Sequence, residues 1–248
     1  METAKINIQP DLAALSKTAA QEFVKTGNKA IKQNGRFTVV LAGGSTPKEF
    51  YNLLASDDFK TQIDWQKVFF FFGDERDVSP ASDQSNFKMA NENLFKPLEI
   101  PKTNVFRWQT EIINAAEVAE QYEKYIRKFF ALKPDEFPRF DLVLLGIGDD
   151  GHTASLFPHT KALAEDKKIA VANLVKKLNS YRLTLTFPTI NNASNIVFLV
   201  SGEQKAKTLQ KILETEPQPE KFPVQAVKPL DGKVTWLIDK DAAEFLKN

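Results

Sequence analysis

Four short runs of the chain, Val39 to Ala42, Val68 to Phe72, Leu142 to Leu145 and Ile196 to Val200, are apolar without interruption. A strand with one wet face alternates polar and apolar residues, so uninterrupted runs of this length read as strands buried on both faces. Between them lie segments with helical spacing. Leu12, Leu15, Ala19 and Phe23 form one, and Val118, Tyr122, Ile126 and Phe129 form another behind a cap-like Asn114 with Glu117 three residues on. Strand and helix therefore alternate, and that order predicts an α/β fold with a mainly parallel sheet and helices on both faces. In such sheets ligands bind beyond the carboxyl ends of the strands, so the segments just after each apolar run are the ones to inspect.

The stretch Leu183 to Phe187 does alternate, which predicts a strand with one partly polar face, halted by Pro188. Segments 96–101, 133–138 and 214–223 are rich in proline and charge and read as surface loops, none distinct enough to mark a domain boundary. We expect one domain over residues 1–248. The 33 basic residues nearly cancel the 32 acidic ones, so no global field is present to hold a nucleic acid or an anionic membrane, and an anion must be bound locally. The chain has no cysteine, which removes disulfides, thiolate metal sites and thiol nucleophiles. With no apolar leader at Met1 and no run of about 18 apolar residues, a cytoplasmic protein is expected.

Each apolar run is followed by polar groups suited to chemistry. Behind the first comes Gly43-Gly44-Ser45-Thr46-Pro47-Lys48-Glu49, a tight turn entering a helix, with capping-box spacing between Thr46 and Glu49 and Pro47 suited to the first helical position. The glycines let backbone approach a ligand, and the helix start favours an anion such as phosphate. An ordinary turn and cap would use the same residues. Behind the second run stands Gly73-Asp74-Glu75-Arg76-Asp77, in which Arg76 offers a permanently charged planar fork for an oxyanion. Charges that merely pair with one another in a solvated loop are the alternative.

The third run leads into Gly146 to Pro158, a glycine-rich turn holding His152, one of only two histidines. Imidazole titrates near neutrality, which suits a base that activates water, and Asp150 is placed to orient the ring. His159 follows Pro158 and is expected at the surface. Asp149, Asp150, His152 and His159 lie close in sequence but match no established metal-ligand spacing, so no metal is expected. After the fourth run, Lys205 falls in the first turn of a helix, an unfavourable place for a cation unless an anion is nearby. Arg182, before the alternating strand, is similar in kind.

Together, Gly43-Gly44-Ser45-Thr46-Pro47, Gly73-Asp74-Glu75-Arg76 with Ser85-Asn86, Gly151-His152-Thr153-Ala154-Ser155-Leu156-Phe157-Pro158, Arg182 to Thr186, Ser201-Gly202 with Lys205-Ala206, and the closing Lys233 to Asp239 span nearly the whole chain. In that order they resemble the 6-phosphogluconolactonase family, which is related to the glucosamine-6-phosphate deaminases and isomerases. The resemblance implies a Rossmann-like three-layer α/β/α sandwich. It also implies hydrolysis of 6-phospho-D-glucono-1,5-lactone to 6-phosphogluconate in the oxidative pentose phosphate pathway, without a cofactor. It makes His152 the general base and sets Arg76, with Asp74 beside it, at the reacting end. Gly43, Gly44, Ser45, Thr46 and Lys205 become the phosphate site, with Asp150, Gly151 and Arg182 as further substrate-binding positions.

The deaminases carry tyrosine where Arg76 stands and glutamate where Phe157 stands, and both differences favour the lactonase. Many relatives have proline or glutamate at the place of Asp149 and glycine at the place of His159, so the charge around His152 departs from the family pattern. The alternatives are a glucosamine-6-phosphate deaminase/isomerase and a non-catalytic sugar-phosphate sensor, the latter without any basic DNA-binding segment to support it. The partner expected is a small phosphorylated sugar lactone, with no nucleic acid and no membrane, and the chain is expected as a monomer or weak homodimer.

Overall fold

The computed structural model describes residues 4–112 and 114–247. Strand β1 (Lys5–Gln9) and helix α1 (Leu12–Asn34) open the chain, with Asp11 capping α1 and Gly35 ending it in the left-handed region at φ 74°. The four apolar runs become β2 (Phe37–Leu41), β3 (Val68–Phe72), β5 (Leu142–Leu145) and β8 (Asn195–Val200). They join β1 and β9 (Lys233–Asp239) in one parallel sheet of order β1-β9-β8-β5-β2-β3. Each of the four is buried nearly throughout, as expected of strands covered on both faces. The rings of β3 sit in an aromatic cluster, with Phe71 stacked 4.7 Å from Phe106 and edge-on to Phe129 and Phe140.

Helices flank this sheet: α1 packs on α2 (Ser45–Leu54) and along β2 and β9, while α6 (Ala206–Glu214) follows β8. Helix α4 (Ala115–Phe130) is capped by the Asn114 side chain, which accepts from the Ala116 amide, and it packs on a second sheet. That small antiparallel sheet has the order β4-β7-β6, made of β4 (Asp74–Arg76), β7 (Ser180–Leu185) and β6 (Ala170–Val175). The alternating stretch at Leu183 is part of β7, but its expected polar face is absent. Thr184 is fully buried, its hydroxyl donating to the Leu185 carbonyl and accepting from the Ser155 amide. The strand ends at Leu185, and Pro188 lies within the first turn of α5 (Phe187–Asn191).

Topology fixes where a ligand can sit. The chain leaves β2 for β3 on one side and later returns to β5 on the other, which makes the gap between β2 and β5 the switch point of the sheet. Two buried tyrosine hydroxyls close the carboxyl ends of β2 and β3. Tyr51 donates to the Ala42 carbonyl and accepts from its amide, and Tyr122 does the same for Phe72. Gly73 then hands the chain from one sheet to the other: its amide still donates to Leu41 of β2, while its carbonyl accepts from Leu185 of β7.

Candidate active site

The first wall is the turn after β2. Helix α2 begins at Ser45 behind Gly44, whose φ of 109° only glycine adopts readily, and no side chain caps the helix. The expected capping box between Thr46 and Glu49 is therefore not formed, and Pro47 is the third helical residue rather than the first. Leaving this end uncapped keeps the amides of Ser45 and Thr46 without an intrahelical acceptor, at the positive end of the helix. Gly43 lies against Asn86: a methyl group there would come within 1.9 Å of Asn86 Oδ1.

Strand β4 supplies the second wall, and its alternation separates three acidic and basic neighbours that the sequence presents as one cluster. Asp74 and Arg76 face the cleft, whereas Glu75 points inward and is almost wholly buried. Glu75 accepts from the amides of Arg76, Asn86 and Phe87 and from the Ser85 hydroxyl, so it holds the loop and α3 (Asn86–Ala90) behind the site. Burial pushes its carboxyl above the usual carboxylate range, against the pull of those amides. Asp74 accepts from Ser155 Oγ at 2.6 Å and from Asn86 Nδ2. Arg76 donates to the Gln84 carbonyl and pairs across the strands with Arg182. Burial, followed by the neighbouring Arg76 charge, lowers the Arg182 guanidinium from its ordinary value. Two guanidiniums side by side favour an anion between or above them.

The third wall is the turn after β5. Here Asp150 Oδ1 accepts from His152 Nδ1 at 2.5 Å, and its other oxygen is taken by Lys177 Nζ. Burial alone would raise the Asp150 carboxyl, but the bonds from His152 and Lys177 outweigh it and hold the group well below the usual range. Phe157 stacks on the imidazole with ring centroids 3.9 Å apart. The turn permits this packing through two glycines. Gly151 has φ 78°, and a methyl group on Gly148 would lie 2.0 Å from two imidazole atoms. Thr153 donates to the Gly146 carbonyl and Asn173 of β6 donates to the Ser155 carbonyl, which pins the segment from both sides.

Gly43, Asp74, Arg76, Asn86 and His152 line one cleft of about 120 Å³ at the ends of β2, β3 and β5. Asp150 lies behind His152, Arg182 lies abreast of Arg76, and Gly44, Ser45 and Thr46 form the adjoining start of α2. Lys205 is not brought into the wall of the cleft. It precedes α6, where its ammonium bonds Asp149 at 2.5 Å, so the cation expected at the phosphate site is engaged by a carboxylate beside the cleft. His159 is exposed, as expected.

A family model described as glucosamine-6-phosphate isomerases/6-phosphogluconolactonase matches residues 10–236. The chain belongs to that family. Within it the chain stands with the 6-phosphogluconolactonases, which are lactone hydrolases. It is 40% identical over 242 residues to the 6-phosphogluconolactonase of a Nostoc species, covering 97% of this chain and 98% of the relative. To that of a Synechocystis species it is 41% identical over 220 residues, 88% of each chain. The structure of 6-phosphogluconolactonase from Trypanosoma brucei superimposes with a TM-score of 0.88 at 30% identity, covering 99% of both chains. A monomeric glucosamine-6-phosphate deaminase, 24% identical with a TM-score of 0.79, shares the fold.

In this lactonase family member, Lys177, Ser155, Asn86 and Glu75 complete the site without having been assigned a role from sequence. Glu75 was open to detection, because three residues of a strand after Gly73 must place the middle one opposite its neighbours. Lys177 carried no local signal, being 27 residues from the carboxylate it bonds. Among the described residues no cluster of histidine, aspartate or glutamate is arranged to hold a metal ion, and no helix is long and apolar enough to cross a membrane.

Proposed function

We propose that the chain hydrolyses 6-phospho-D-glucono-1,5-lactone to 6-phospho-D-gluconate, the lactone-opening step of the oxidative pentose phosphate pathway, with His152 as general base. The observation that carries this is the Asp150–His152 bond at the cleft wall. With the Nδ1 hydrogen donated to the carboxylate, Nε2 is the nitrogen left to accept a proton. Water attacks the lactone carbonyl carbon as its proton passes to Nε2, and the carbonyl oxygen becomes an oxyanion. Arg76 or the amides of the 148–152 turn stabilise that charge, a contribution of about a hundred- to a thousandfold per donor in comparable sites. The bond from the carbonyl carbon to the ring oxygen then breaks, and the ring oxygen takes the proton back from the imidazolium. Asp150 keeps the ring oriented and favours its transient positive charge.

The far end of the substrate is anchored separately. The open amides of Ser45 and Thr46, the close backbone approach at Gly43 and Gly44, and Arg182 favour a phosphoryl group, with Lys205 as a further cation on the rim. Asp74, with capacity beyond its bonds to Ser155 and Asn86, accepts from a sugar hydroxyl. Gly151 supplies the left-handed residue that turns His152 toward the cleft. Binding the phosphoryl group thus holds the carbonyl near the base.

The test compares wild type with His152→Ala on the phosphorylated lactone and on unphosphorylated gluconolactone, after subtraction of spontaneous hydrolysis. Turnover by His152→Ala should fall about a hundredfold or more, and the unphosphorylated lactone should be a poor substrate for wild type. Undiminished turnover in His152→Ala would remove the base assignment. Ammonia release from glucosamine 6-phosphate would remove the lactonase reading.

A further inference from the structure

The general-base reading leaves one charged group against the base without a role. Lys177 lies in a single helical turn, Lys176–Leu178, at the tip of the β6–β7 hairpin. It touches two of the groups that hold His152. Its ammonium bonds Asp150 Oδ2, while His152 Nδ1 bonds Oδ1 of the same carboxylate. The same ammonium stands 4.8 Å from the centre of the Phe157 ring, whose stacking fixes the plane of the imidazole. The hairpin that carries Lys177 also carries Arg182, five residues on and opposite Arg76. One element therefore reaches both the base and the guanidinium pair.

We propose that Lys177 is a positioning residue that acts on His152 through Asp150 and Phe157, clamping the imidazole and offsetting the carboxylate charge beside it. The proposal rests on His152 acting as the base. Its electrostatic part has a definite sign. An unopposed Asp150 would favour the imidazolium, and so keep the base occupied by a proton to higher pH. An ammonium on the other carboxylate oxygen offsets that charge and itself disfavours a second cation nearby.

The other charges facing the imidazole do not supply the same correction. Asp149, on the same turn, is engaged by Lys205 from the start of α6. From β4, Asp74 is held by Ser155 and Asn86, and Arg76 is directed to Gln84 and set beside Arg182. Lys177 is the cation that shares a carboxylate with His152. Its side chain is about half exposed, so solvent and salt screen the effect and substitution should leave the fold intact.

The experiment is the pH dependence of kcat/KM for the phosphorylated lactone with wild type, Lys177→Met, Lys177→Arg and His152→Ala. For Lys177→Met the acid limb should move to higher pH by about half a unit to one unit, so that activity drops severalfold more near pH 6 than near pH 8. Lys177→Arg, which keeps the cation, should return the limb toward wild type. An acid limb in Lys177→Met that coincides with wild type or moves to lower pH overturns the proposal, and so does a loss of equal size at every pH, which would mark a purely structural role. Full turnover in His152→Ala would instead sink the base assignment, and is read independently of the Lys177 variants.

Discussion

Replacing Gly148 with alanine tests whether the activity depends on the imidazole staying where Asp150 holds it. The added methyl would lie 2.0 Å from both Cε1 and Nδ1 of His152, where ordinary contact begins at 3.4 Å. Relief therefore needs a ring displacement of about 1.5 Å, against contact distances of about 3.5–4.0 Å between carbon atoms. The Asp150 bond is 2.5 Å and the Phe157 stack 3.9 Å, so neither survives such a shift unchanged. Folding should suffer little, because Gly148 has no left-handed backbone to strain and the imidazole, about a quarter exposed, can turn toward solvent. Catalysis should suffer much. A misplacement of about 1 Å costs on the order of a hundredfold in related situations. In steady-state assays of lactone hydrolysis, Gly148→Ala should lose about a hundredfold in kcat with KM changed less than a few fold, and its thermal midpoint should stay close to wild type. A kcat within threefold of wild type, in a folded variant, would refute the claim that the Asp150-held ring position is the catalytic one.

Two further outcomes follow from groups with well-defined partners. Asp150 is held below its ordinary value in the folded state, so its pairing contributes stability that is present above the unfolded value of 3.8 and is lost as pH falls through and below it. The urea midpoint of wild type should therefore exceed that of Asp150→Asn near pH 6, with the gap closing below about pH 4; a gap that widens on acidification would contradict the pairing. Tyr122→Phe removes the hydroxyl that accepts from the buried Phe72 amide, while the Phe72 carbonyl keeps its bond from Trp108 Nε1. It should cost about 1–3 kcal/mol in denaturant unfolding while kcat stays near wild type, since the group touches no cleft residue directly.

Much of the scaffold is legible in the sequence because burial on two faces leaves a coarse mark. Uninterrupted runs such as Val68 to Phe72 have one easy interpretation, and the polar groups behind them land at the strand ends that form the cleft. β1 leaves no such mark. It is an edge strand of the large sheet whose Ile6 and Ile8 are about half exposed amid polar neighbours, whereas β3 at the other edge is buried nearly throughout. β6 and β7 mix polar with apolar residues for another reason: Asn173 and Thr184 are buried as hydrogen-bonding members of the site's support rather than as a wet face. The failed capping box has the same origin. Thr46 and Glu49 have the right spacing, but the turn at Gly44 starts the helix at Ser45 and leaves its amides open. Contacts such as Lys177 with Asp150 and Ser155 with Asp74 arise from the arrangement of elements in space, which local residue patterns do not encode.

The shared fold of a 24%-identical deaminase shows that the sheet and its switch point do not by themselves select the reaction. Selection has to lie in the few side chains that the strand ends present. In this chain position 157 is an aromatic ring lying flat on the His152 imidazole, with the Lys177 ammonium against that ring. A carboxylate there would place a second anion beside His152, favour the imidazolium and discourage an incoming water from losing its proton to the ring. Phenylalanine excludes that charge while holding the ring in plane, and Arg76 adds a permanent cation to the same cleft. Fixed positive charge at the cleft wall suits the oxyanion formed by attack on an ester carbonyl. On the proposed reading, with His152 as the base, the site is specialised by what Phe157 keeps away from that ring as much as by what Asp150 brings to it.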